Sequence, residues 1–359
     1  MDHKITFIEG DGIGPEVSNA ARRCIEAVAE RNDISITWDR QYAGLSAQKD
    51  TGSLLPSKTI DSIRRNRVAL KGPLTTPIGS GFRSINVELR QRLSLFANVR
   101  PSRSIKGAPS RYEDVNLVVI RENSEDLYNG IEFAEGSRMA SSLSKIAKKN
   151  LGRAVAHGSA IAFKTISKSG SSRIFDFAFD YAKHNKRKKI TAVHKANILK
   201  FTDGLFIKCG ESVAKRHGSI KYGEMIVDDV CAHLVMRPEE FDILVCPNLY
   251  GDIISDLCAG LVGGPGLAPS GNMGRDAAIF EPVHGSAPKH AGKNEANPTA
   301  SILSGVMMLH HVGEAKAAKS LESATMKVIK ANKRVTYDLK SRNPSTTTEM
   351  TDAIISEIG

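Results

Sequence analysis

Two aspartates in the second half of the sequence have the type and spacing of metal ligands. Asp252 and Asp256 stand four residues apart in the stretch Asn248–Asp256, after Gly251. If a helix starts here, four residues make about one turn, and both carboxylates can converge on one hard cation. The preceding run 241–246 is largely apolar. Two carboxylates are seldom found beside such a run unless a positive charge compensates them. The alternative is an N-cap aspartate followed by a solvated one.

Three arginines in the first half of the chain suit a small anionic ligand. Arg90, Arg100 and Arg121 could clamp carboxylates bidentately, so together they predict a site for a small polyanion. Taken singly, each arginine is more often part of a surface ion pair, and that alternative stays open.

A lysine follows a strand-like run at the centre of the chain. Lys195, in His194–Asn197, comes directly after 190–193, and the carboxyl end of a strand faces the usual ligand-binding edge of an α/β sheet. A nearby metal and arginines would lower the pKa of such a lysine toward neutrality, as a general base requires.

The segment Gly10–Gly14 has to be compared with a dinucleotide-binding fingerprint. It follows the strand-like run 5–8 and precedes a helix with Pro15 in its first turn. Its spacing is G-x-G-x-G, not G-x-G-x-x-G, and no acidic residue ends a second strand at the usual distance. The segment therefore predicts only a tight turn with a helix N-terminus near a ligand.

Short apolar runs and amphipathic stretches alternate along the chain, as in an α/β sandwich. Strands are predicted at 5–8, 67–70, 115–120, 190–193, 224–227 and 242–246, and helices at 15–31, 171–184 and 300–312. A length of 359 residues exceeds what one core usually supports, which predicts two domains. Residues 133–168, rich in Ser, Lys, Gly and Ala, are predicted to leave one domain as an excursion, and glycines cluster at 260–274.

The positive net charge favours an anionic partner but does not by itself distinguish a nucleic acid from a small substrate. The formal net charge is +11 and the isoelectric point is near 9.4, which suits a nucleic-acid binder or an enzyme for anionic substrates. The basic run 186–189 has no interleaved aromatic residues and no nucleic-acid motif accompanies it, so a solvated loop is predicted. We therefore expect no nucleic-acid partner.

Cysteine usage and hydropathy bear on the compartment. Five scattered cysteines without a CxxC pair favour a reducing compartment over zinc or disulfides. No apolar run approaches membrane-spanning length, and the run 5–8 leaves no room for a signal or transit peptide. We expect a cytoplasmic protein with no membrane partner.

Seven motifs, in order along the chain, resemble those of one family. They are Gly10–Pro15, Ala97–Pro101, Val119–Asn123, Ala192–Asn197, Asn248–Asp252, Gly263–Gly266 and Phe280–Pro288. The family they resemble is that of the metal-dependent β-decarboxylating dehydrogenases, which includes isocitrate, 3-isopropylmalate, homoisocitrate and tartrate dehydrogenases. The resemblance covers nearly the whole chain.

The resemblance implies a two-domain α/β fold that is not a Rossmann fold. Residues 1–95 and 263–359 would form a large, discontinuous domain with most of the coenzyme contacts. Residues 96–132 and 169–262 would form a small domain with the metal site and the dimer interface. Residues 133–168 would form a clasp that interlocks the two subunits of a homodimer, and a larger oligomer stays open.

The resemblance also indicates the substrate. The segment 74–86 looks like the isocitrate type of this family, in which a serine and an asparagine two residues later bind the distal carboxylate; here these are Ser84 and Asn86. Isopropylmalate enzymes place apolar residues there, and two polar side chains would be unfavourable against an isopropyl group. Isocitrate is the favoured substrate, and a homoisocitrate, tartrate or 3-isopropylmalate dehydrogenase is the nearest alternative.

Individual roles follow from the same resemblance. Tyr128 would protonate the enol carbon after decarboxylation, and Lys195, donated across the subunit interface, would help remove the hydroxyl proton. Mg²⁺ or Mn²⁺ would bind to Asp252 and Asp256 of one subunit and to Asp228 of the other. The substrate would contact Thr76, Ser84, Asn86, Arg90, Arg100, Arg121 and Asn197. The coenzyme would contact Ile13, Lys71, Thr75, Glu281, His284, Gly285, Ser286, Ala287, Lys289, His290, Asn297 and Tyr337.

The coenzyme is predicted to be NADP, with NAD still possible. NAD-linked members of the family usually carry an aspartate soon after the HGSAP motif, whereas this chain has Lys289 and His290. Tyr337 resembles a second phosphate-binding position of NADP-linked enzymes. Ser341 stands where the bacterial ones often place an arginine, so dual specificity stays open. The alternative for Lys289 is a solvated charge at a helix end.

A protein of another class, a non-catalytic regulatory subunit, has to be considered because the family contains such paralogues. Those lose the tyrosine, the lysine or the aspartates, and all of these are present here as Tyr128, Lys195, Asp228, Asp252 and Asp256.

Overall fold

The computed structural model describes residues 2–75 and 84–359. These residues form twelve strands and twelve α-helices, which alternate for most of the chain as the sequence predicts. The strands are β1 Asp2–Ile8, β2 Ser35–Gln41, β3 Val68–Lys71, β4 Ala97–Arg103, β5 Asn116–Glu122, β6 Glu132–Phe133, β7 Ile161–Ala162, β8 Lys189–His194, β9 Lys221–Ile226, β10 Ile243–Cys246, β11 Pro269–Met273 and β12 Ala278–Pro282. The helices are α1 Gly14–Glu30, α2 Leu45–Thr51, α3 Ser57–Asn66, α4 Ile85–Arg92, α5 Arg138–Leu151, α6 Lys168–His184, α7 Thr202–Ala214, α8 Val227–Met236, α9 Asn248–Leu261, α10 Thr299–His311, α11 Ala315–Ala331 and α12 Thr347–Glu357.

Ten strands form one mixed sheet in the order β2-β1-β3-β12-β11-β4-β5-β10-β8-β9. The outer strands pair in parallel, whereas β11 pairs antiparallel with both β12 and β4, and β4 pairs antiparallel with β5. This order differs from that of the doubly wound dinucleotide fold, as predicted. The sheet runs through both predicted domains, which meet where β11 pairs with β4.

Helices cover both faces of the sheet, which explains the apolar strands at its centre. In β5 the residues from Leu117 to Glu122 are all buried, as expected for a strand packed on both faces. One core packs α1, α10, α11 and α12 against β1, β3 and β12, and another packs α6 and α7 against β4, β5, β8 and β10. In residues 2–75 and 84–359, no helix has the length and apolar character needed to cross a membrane.

Two segments outside the sheet bear on the sequence predictions. Residues 132–162 contain β6 and β7, which pair antiparallel as a separate two-stranded sheet, with α5 between them. Their role as a clasp, and the domain limits, stay predictions. The basic run 186–189 is only partly a solvated loop, because Arg187 pairs with Asp242 at 2.9 Å and packs against the end of the sheet.

Candidate active site

The strand-to-helix corner predicted at Asn248 is present. β10 ends at Cys246 and α9 begins two residues later. Position 251 needs glycine because the Arg121 side chain crosses the helix there, and an added Cβ would lie 2.6 Å from Arg121 Cγ. The N-cap residue is Pro247, whose side chain makes no capping hydrogen bond, so the alternative of an N-cap aspartate in this stretch is wrong.

Asp252 and Asp256 converge on one nitrogen of Arg100. Arg100 Nη1 lies 3.3 Å from Asp252 Oδ1 and 3.3 Å from Asp256 Oδ1. Arg100 also donates to Ser255 Oγ at 2.6 Å and, through Nε, to Asn98 Oδ1 at 2.6 Å. Burial raises the pKa of Asp256, and the charge of Arg100 only partly offsets this effect. The two carboxylates therefore share one face of α9, as their spacing predicts.

Arg121 and Tyr128 contact Asp252 from another direction. Arg121 is 1% exposed; its Nη1 contacts Asp252 Oδ1, and its Nε donates to Asn248 Oδ1 at 2.9 Å. The Tyr128 hydroxyl donates to Asp252 Oδ2, and Arg121 Cζ lies 4.7 Å from the centre of the Tyr128 ring. Arg100 and Arg121 are both buried, so the alternative of surface ion pairs is wrong for these two.

Burial and charge set the protonation states around Asp252. Burial opposes ionisation of Asp252, but the positive charges of Arg121 and Arg100 outweigh it and hold its pKa below the ordinary value. Burial, followed by the hydrogen bond to Asp252, raises the pKa of Tyr128. Burial lowers the pKa of Arg121 to about 10, which leaves the guanidinium charged at neutral pH. Asp252 is thus anionic while Tyr128 keeps its proton.

The third arginine, Arg90, lies on α4 with two other predicted substrate ligands. Its Nε donates to Asn272 Oδ1 at 3.0 Å, and its Nη2 lies 3.7 Å from Glu281 Oε1. Ser84 precedes the first turn of this helix, and its side chain does not cap it. Asn86, Arg90 and Arg100 line one cleft together with Glu281. Thr76 falls outside the described residues.

Two buried polar atoms of predicted substrate ligands lack a partner in the part of the chain that the structure describes. Asn86 Oδ1 and Arg121 Nη2 are both buried and neither makes a hydrogen bond there. Buried polar atoms are nearly always satisfied, so an unpaired donor and an unpaired acceptor point to a polar ligand.

Lys195 and Asp228 form a second group, separate from the first. Lys195 Nζ forms an ion pair with Asp228, in the first turn of α8, and the Lys195 N–H donates to Asp203 Oδ2 at 2.7 Å. Asn197 is exposed. Within residues 2–75 and 84–359, no hydrogen bond or ion pair joins this group to Asp252, and no three side chains are grouped as metal ligands. The chain thus carries two separate sets of predicted site residues.

A buried ion pair between two predicted coenzyme ligands lies at this cleft. Lys71 Nζ is 2.5 Å from Glu281 Oε2, and the two side chains are 1% and 8% exposed. Burial opposes ionisation of Glu281, but Lys71 and then Arg90 outweigh it and lower its pKa to about 2. His284 lines the same cleft; burial lowers its pKa, and its Nε2 has no hydrogen-bond partner among the described residues. The neutral imidazole can therefore contact a ligand.

The glycine-rich turn at 10–14 packs against the loop that follows His284. Ile13 N donates to Ser286 O at 2.9 Å, and the hydroxyl groups of Thr75 and Ser286 lie 2.6 Å apart. Gly12 has φ +62°, and an added Cβ would lie 2.0 Å from Ser286 O, so only glycine fits. The glycine-rich turn therefore packs against the loop around Ser286, and its glycines serve this close contact.

Most of the remaining predicted coenzyme ligands lie near the surface, whereas Asn297 is buried. Lys289 is exposed, as are Gly285 and Ala287. The rings of His290 and Tyr337 stack with centres 6.0 Å apart and an interplanar angle of 11°. Asn297 Nδ2 donates to Asp338 Oδ2 at 2.8 Å, which connects the loop after His284 to the segment that carries Tyr337.

Comparison with known proteins supports the resemblance that the motifs indicate. A family model described as isocitrate/isopropylmalate dehydrogenase matches residues 4–354. The chain belongs to this family. Catalytic subunit 5 of the mitochondrial NAD isocitrate dehydrogenase of Arabidopsis thaliana is 46% identical over 350 residues, which cover 97% of this chain and 87% of the relative. An NADP isocitrate dehydrogenase of Archaeoglobus fulgidus is 41% identical over 381 residues, covering 99% and 92%.

A solved structure places the fold in the same family. The crystal structure of isocitrate dehydrogenase from Methylococcus capsulatus matches with a TM-score of 0.90 and 48% identity, covering 99% of each chain. Other relatives of similar identity are named as a 3-isopropylmalate dehydrogenase of potato and a regulatory subunit of Dictyostelium discoideum. The predicted fold class is confirmed, while the names leave the choice of coenzyme open.

Sequence reasoning missed several polar residues that organise the candidate site. Asp11 is 7% exposed and accepts from the N–H groups of Leu45, Ser46 and Thr75 at 3.1, 3.2 and 2.8 Å. It therefore holds a predicted coenzyme ligand in place. The signal in the sequence was an acid between two glycines of a tight turn.

Two asparagines of neighbouring strands were missed as well. Asn98 on β4 and Asn272 on β11 face each other in the antiparallel register, and Asn98 Nδ2 donates to Asn272 Oδ1 at 3.2 Å. Asn98 accepts from Arg100 and Asn272 from Arg90, so the pair orients two of the three arginines. Its position two residues before Arg100 is the signal that could have found Asn98, whereas β11 offers no comparable local signal for Asn272.

Proposed function

We propose that this protein catalyses the oxidative decarboxylation of isocitrate to 2-oxoglutarate and CO₂, with a divalent metal and with NADP as the preferred hydride acceptor. The carrying observation is the convergence of Arg90, Arg100 and Arg121 with Asp252 and Asp256. Arg100 contacts both carboxylates, and a buried nitrogen of Arg121 has no hydrogen-bond partner among residues 2–75 and 84–359. A small tricarboxylate supplies the negative charges that three guanidinium groups require.

The donor set fits Mg²⁺ or Mn²⁺. Asp252 and Asp256 offer carboxylate oxygens that meet at one cationic nitrogen, and oxygen ligands suit hard divalent ions. Asp228 would complete the set from a second copy of the chain, since it lies with Lys195 and not with Asp252. A bound divalent ion would acidify the substrate hydroxyl and stabilise the negative charge that develops on its oxygen.

Residues of the chain would hold the substrate and move its protons. Arg90, Arg100 and Arg121 would fix the carboxylates, and the side-chain amide nitrogen of Asn86 would donate a hydrogen bond to the distal carboxylate. Tyr128 keeps its proton at neutral pH because its pKa is raised, so it can protonate the carbon that loses CO₂. Lys195 of a second copy would take the hydroxyl proton as hydride leaves for the nicotinamide.

A substrate panel tests this function. Formation of reduced coenzyme would be followed with isocitrate, homoisocitrate, tartrate and 3-isopropylmalate, each with Mg²⁺ and with either nucleotide. We expect isocitrate to give the largest kcat/KM, and EDTA to abolish the activity. Preference for another substrate, or full activity after metal removal, would contradict the proposal. No turnover of any substrate by the folded, metal-loaded protein would favour a regulatory subunit.

We further propose a homodimer with shared active sites. Beside Lys195, Ile198 and Phe201 are 68% and 93% exposed, and large apolar side chains at such exposure favour burial by a partner. Variants Lys195→Met and Tyr128→Phe, each nearly inactive alone, should regain part of their activity when refolded together. Demonstrated hybrid dimers without recovered activity would mean that each site lies within one chain.

The preference for NADP is supported by the exposed Lys289 and by the stacked rings of His290 and Tyr337. A cation beside two rings with hydrogen-bonding groups suits the 2′-phosphate of NADP. Several relatives are named as NAD enzymes, including the plant catalytic subunit, so the coenzyme assay decides. A larger kcat/KM with NAD would overturn this choice and leave the reaction unchanged.

A cytoplasmic location also remains a proposal. The plant relatives are named mitochondrial. Fractionation of the source cells, with activity as the marker, would test it.

A further inference from the structure

A buried cluster of charges lies beside both groups of predicted catalytic residues. Lys164, between β7 and α6, is the only cation in it among the described residues. Its Nζ lies 3.2 Å from Asp126 Oδ1, 3.3 Å from Asp203 Oδ1 and 4.3 Å from the centre of the Tyr250 ring. Both aspartate side chains are 0% exposed. These four residues are called the Lys164 cluster.

Asp126 holds the first group of predicted catalytic residues. It precedes Tyr128 by two residues, and its Oδ2 accepts from the N–H of Leu249 in the first turn of α9, the helix that carries Asp252. Its backbone has φ +69°, a strained conformation for a residue other than glycine. Its N–H donates to Thr165 O at 2.8 Å, next to Lys164.

Asp203 holds the second group. Its Oδ2 accepts from the N–H of Lys195 at 2.7 Å, so it fixes the backbone of the predicted base. Its Oδ1 faces Lys164, which is the only cation paired with it in the described part of the chain. One ammonium group therefore stands between the carboxylate that orients Tyr128 and α9 and the carboxylate that orients Lys195.

Charge explains why Lys164 should control both positions. Asp126 Oδ1 has no hydrogen-bond partner in residues 2–75 and 84–359, so the nearby ammonium is what offsets its buried charge. Without Lys164, two buried carboxylates would repel each other and draw in water or protons. Both would then shift, together with the segments that they hold.

We propose that Lys164 is a positioning residue that sets the geometry of two active sites at once. This inference rests on the proposed dimer with shared sites, in which Tyr128 acts in the chain's own site and Lys195 in the partner's. Lys164 also belongs to the segment 133–168 that is predicted to interlock the subunits. Subunit assembly would then place the lysine, and the lysine would align both sites.

Hybrid dimers test this inference one site at a time. In a dimer with Tyr128→Phe in one chain, the remaining active site uses Tyr128 of the unaltered chain and Lys195 of the altered chain. Lys164→Met in the altered chain then affects only the donated Lys195. Lys164→Met in the other chain affects only Tyr128 and α9. Compared with the hybrid that carries Tyr128→Phe alone, we expect kcat per folded dimer to fall about tenfold or more in both Lys164→Met hybrids. The reason is that small displacements of reacting groups slow the reaction strongly.

The controls separate positioning from folding. KM for isocitrate should change less than about threefold, because the arginines are untouched, and Lys164→Arg should retain most of kcat. The concentration of folded dimer is measured by size-exclusion chromatography, so lost protein is not counted as lost turnover. An unchanged kcat in either hybrid, or a loss confined to KM, would overturn the inference. Failure of Lys195→Met to complement Tyr128→Phe would instead overturn the shared site itself.

Discussion

The corner around Asp252 and the loop around Lys289 are built in opposite ways. Arg121 is 1% exposed and contacts Asp252, Asn248 and the ring of Tyr128. Lys289 is exposed, and it makes no hydrogen bond or ion pair in the part of the chain that the structure describes. At the corner around Asp252, several contacts fix a buried charge in place. In the loop around Lys289, the charge is exposed and can bind a ligand.

The difference indicates which property each region determines. Buried charges act in a medium of low effective dielectric constant and need no reorganisation during the reaction, which suits them to chemistry. An exposed lysine acts through solvent and contributes less, which suits it to a choice between two similar coenzymes. Substitutions at the corner should therefore abolish activity, whereas substitutions in the loop should change a preference.

The largest effect is expected for Asp252→Asn. The change removes one charge of the proposed metal site and leaves Arg100 and Arg121 without their shared carboxylate. Loss of several kcal/mol of charge stabilisation corresponds to a fall in kcat of about a thousandfold or more. Steady-state kinetics with isocitrate and Mg²⁺ would measure it. The matched control Asp180→Asn, at an exposed position on α6, should keep its activity; an equal loss in both would deny Asp252 a special role.

Glu281→Gln is expected to lower the free energy of unfolding by an amount similar to the energy that Asp252→Asn adds to the reaction barrier. The change leaves Lys71 buried without its partner, and breaking such a pair costs about 3–5 kcal/mol. Urea unfolding would measure it, with the exposed Glu239→Gln as the control. The double variant Lys71→Met/Glu281→Gln should recover part of the loss. A single variant as stable as the control would show that the pair is not what stabilises this cleft.

Local signals in the sequence predicted more of the corner around Asp252 than of the loop around Lys289. The helix that carries Asp252 and Asp256 was predictable because Gly251, the apolar run 241–246 and the four-residue spacing all lie within one stretch. The loop at Lys289 was located by its motif, yet its stacking partner Tyr337 lies far along the chain and was assigned only by resemblance.

Contacts that depend on strand order could not be predicted from local patterns. Asn98 and Asn272 are 174 residues apart and meet only because β11 inserts antiparallel beside β4. The prediction for the basic run 186–189 was partly wrong for the same reason, since Arg187 finds Asp242 across the end of the sheet. Periodicity identifies which residues are buried, but it does not identify their neighbours.

The pH dependence of stability should report on the buried ion pair of Lys71 and Glu281. The folded pKa of Glu281 is about 2, below the ordinary value of 4.5. A depressed pKa contributes stability above 4.5, and that contribution is lost as the pH falls toward 2. Unfolding free energies of the unaltered protein should therefore fall more steeply over this range than those of Glu281→Gln, by up to about 3 kcal/mol. Parallel curves would contradict the assigned pKa.

The smallest effect is expected for Lys289→Asp. A charge-assisted contact contributes about 1.5–3 kcal/mol when it is well formed, and the exposure of Lys289 argues for the lower end. The aspartate would repel the 2′-phosphate and could accept hydrogen bonds from the ribose of NAD. The ratio of kcat/KM for NADP to that for NAD should therefore fall about tenfold or more, with little change in stability.

The control Lys330→Asp carries the same charge change to an exposed position at the end of α11. It tests whether the net charge alone alters the preference. If both variants shift the ratio equally, the effect comes from the overall field of a strongly basic protein. If only Lys289→Asp shifts it, and the shift shrinks at high ionic strength, the exposed loop sets the coenzyme by a local, screened contact. If the ratio of kcat/KM for NADP to that for NAD does not change in Lys289→Asp, then Lys289 does not select the coenzyme, and only His290 and Tyr337 are left to do so.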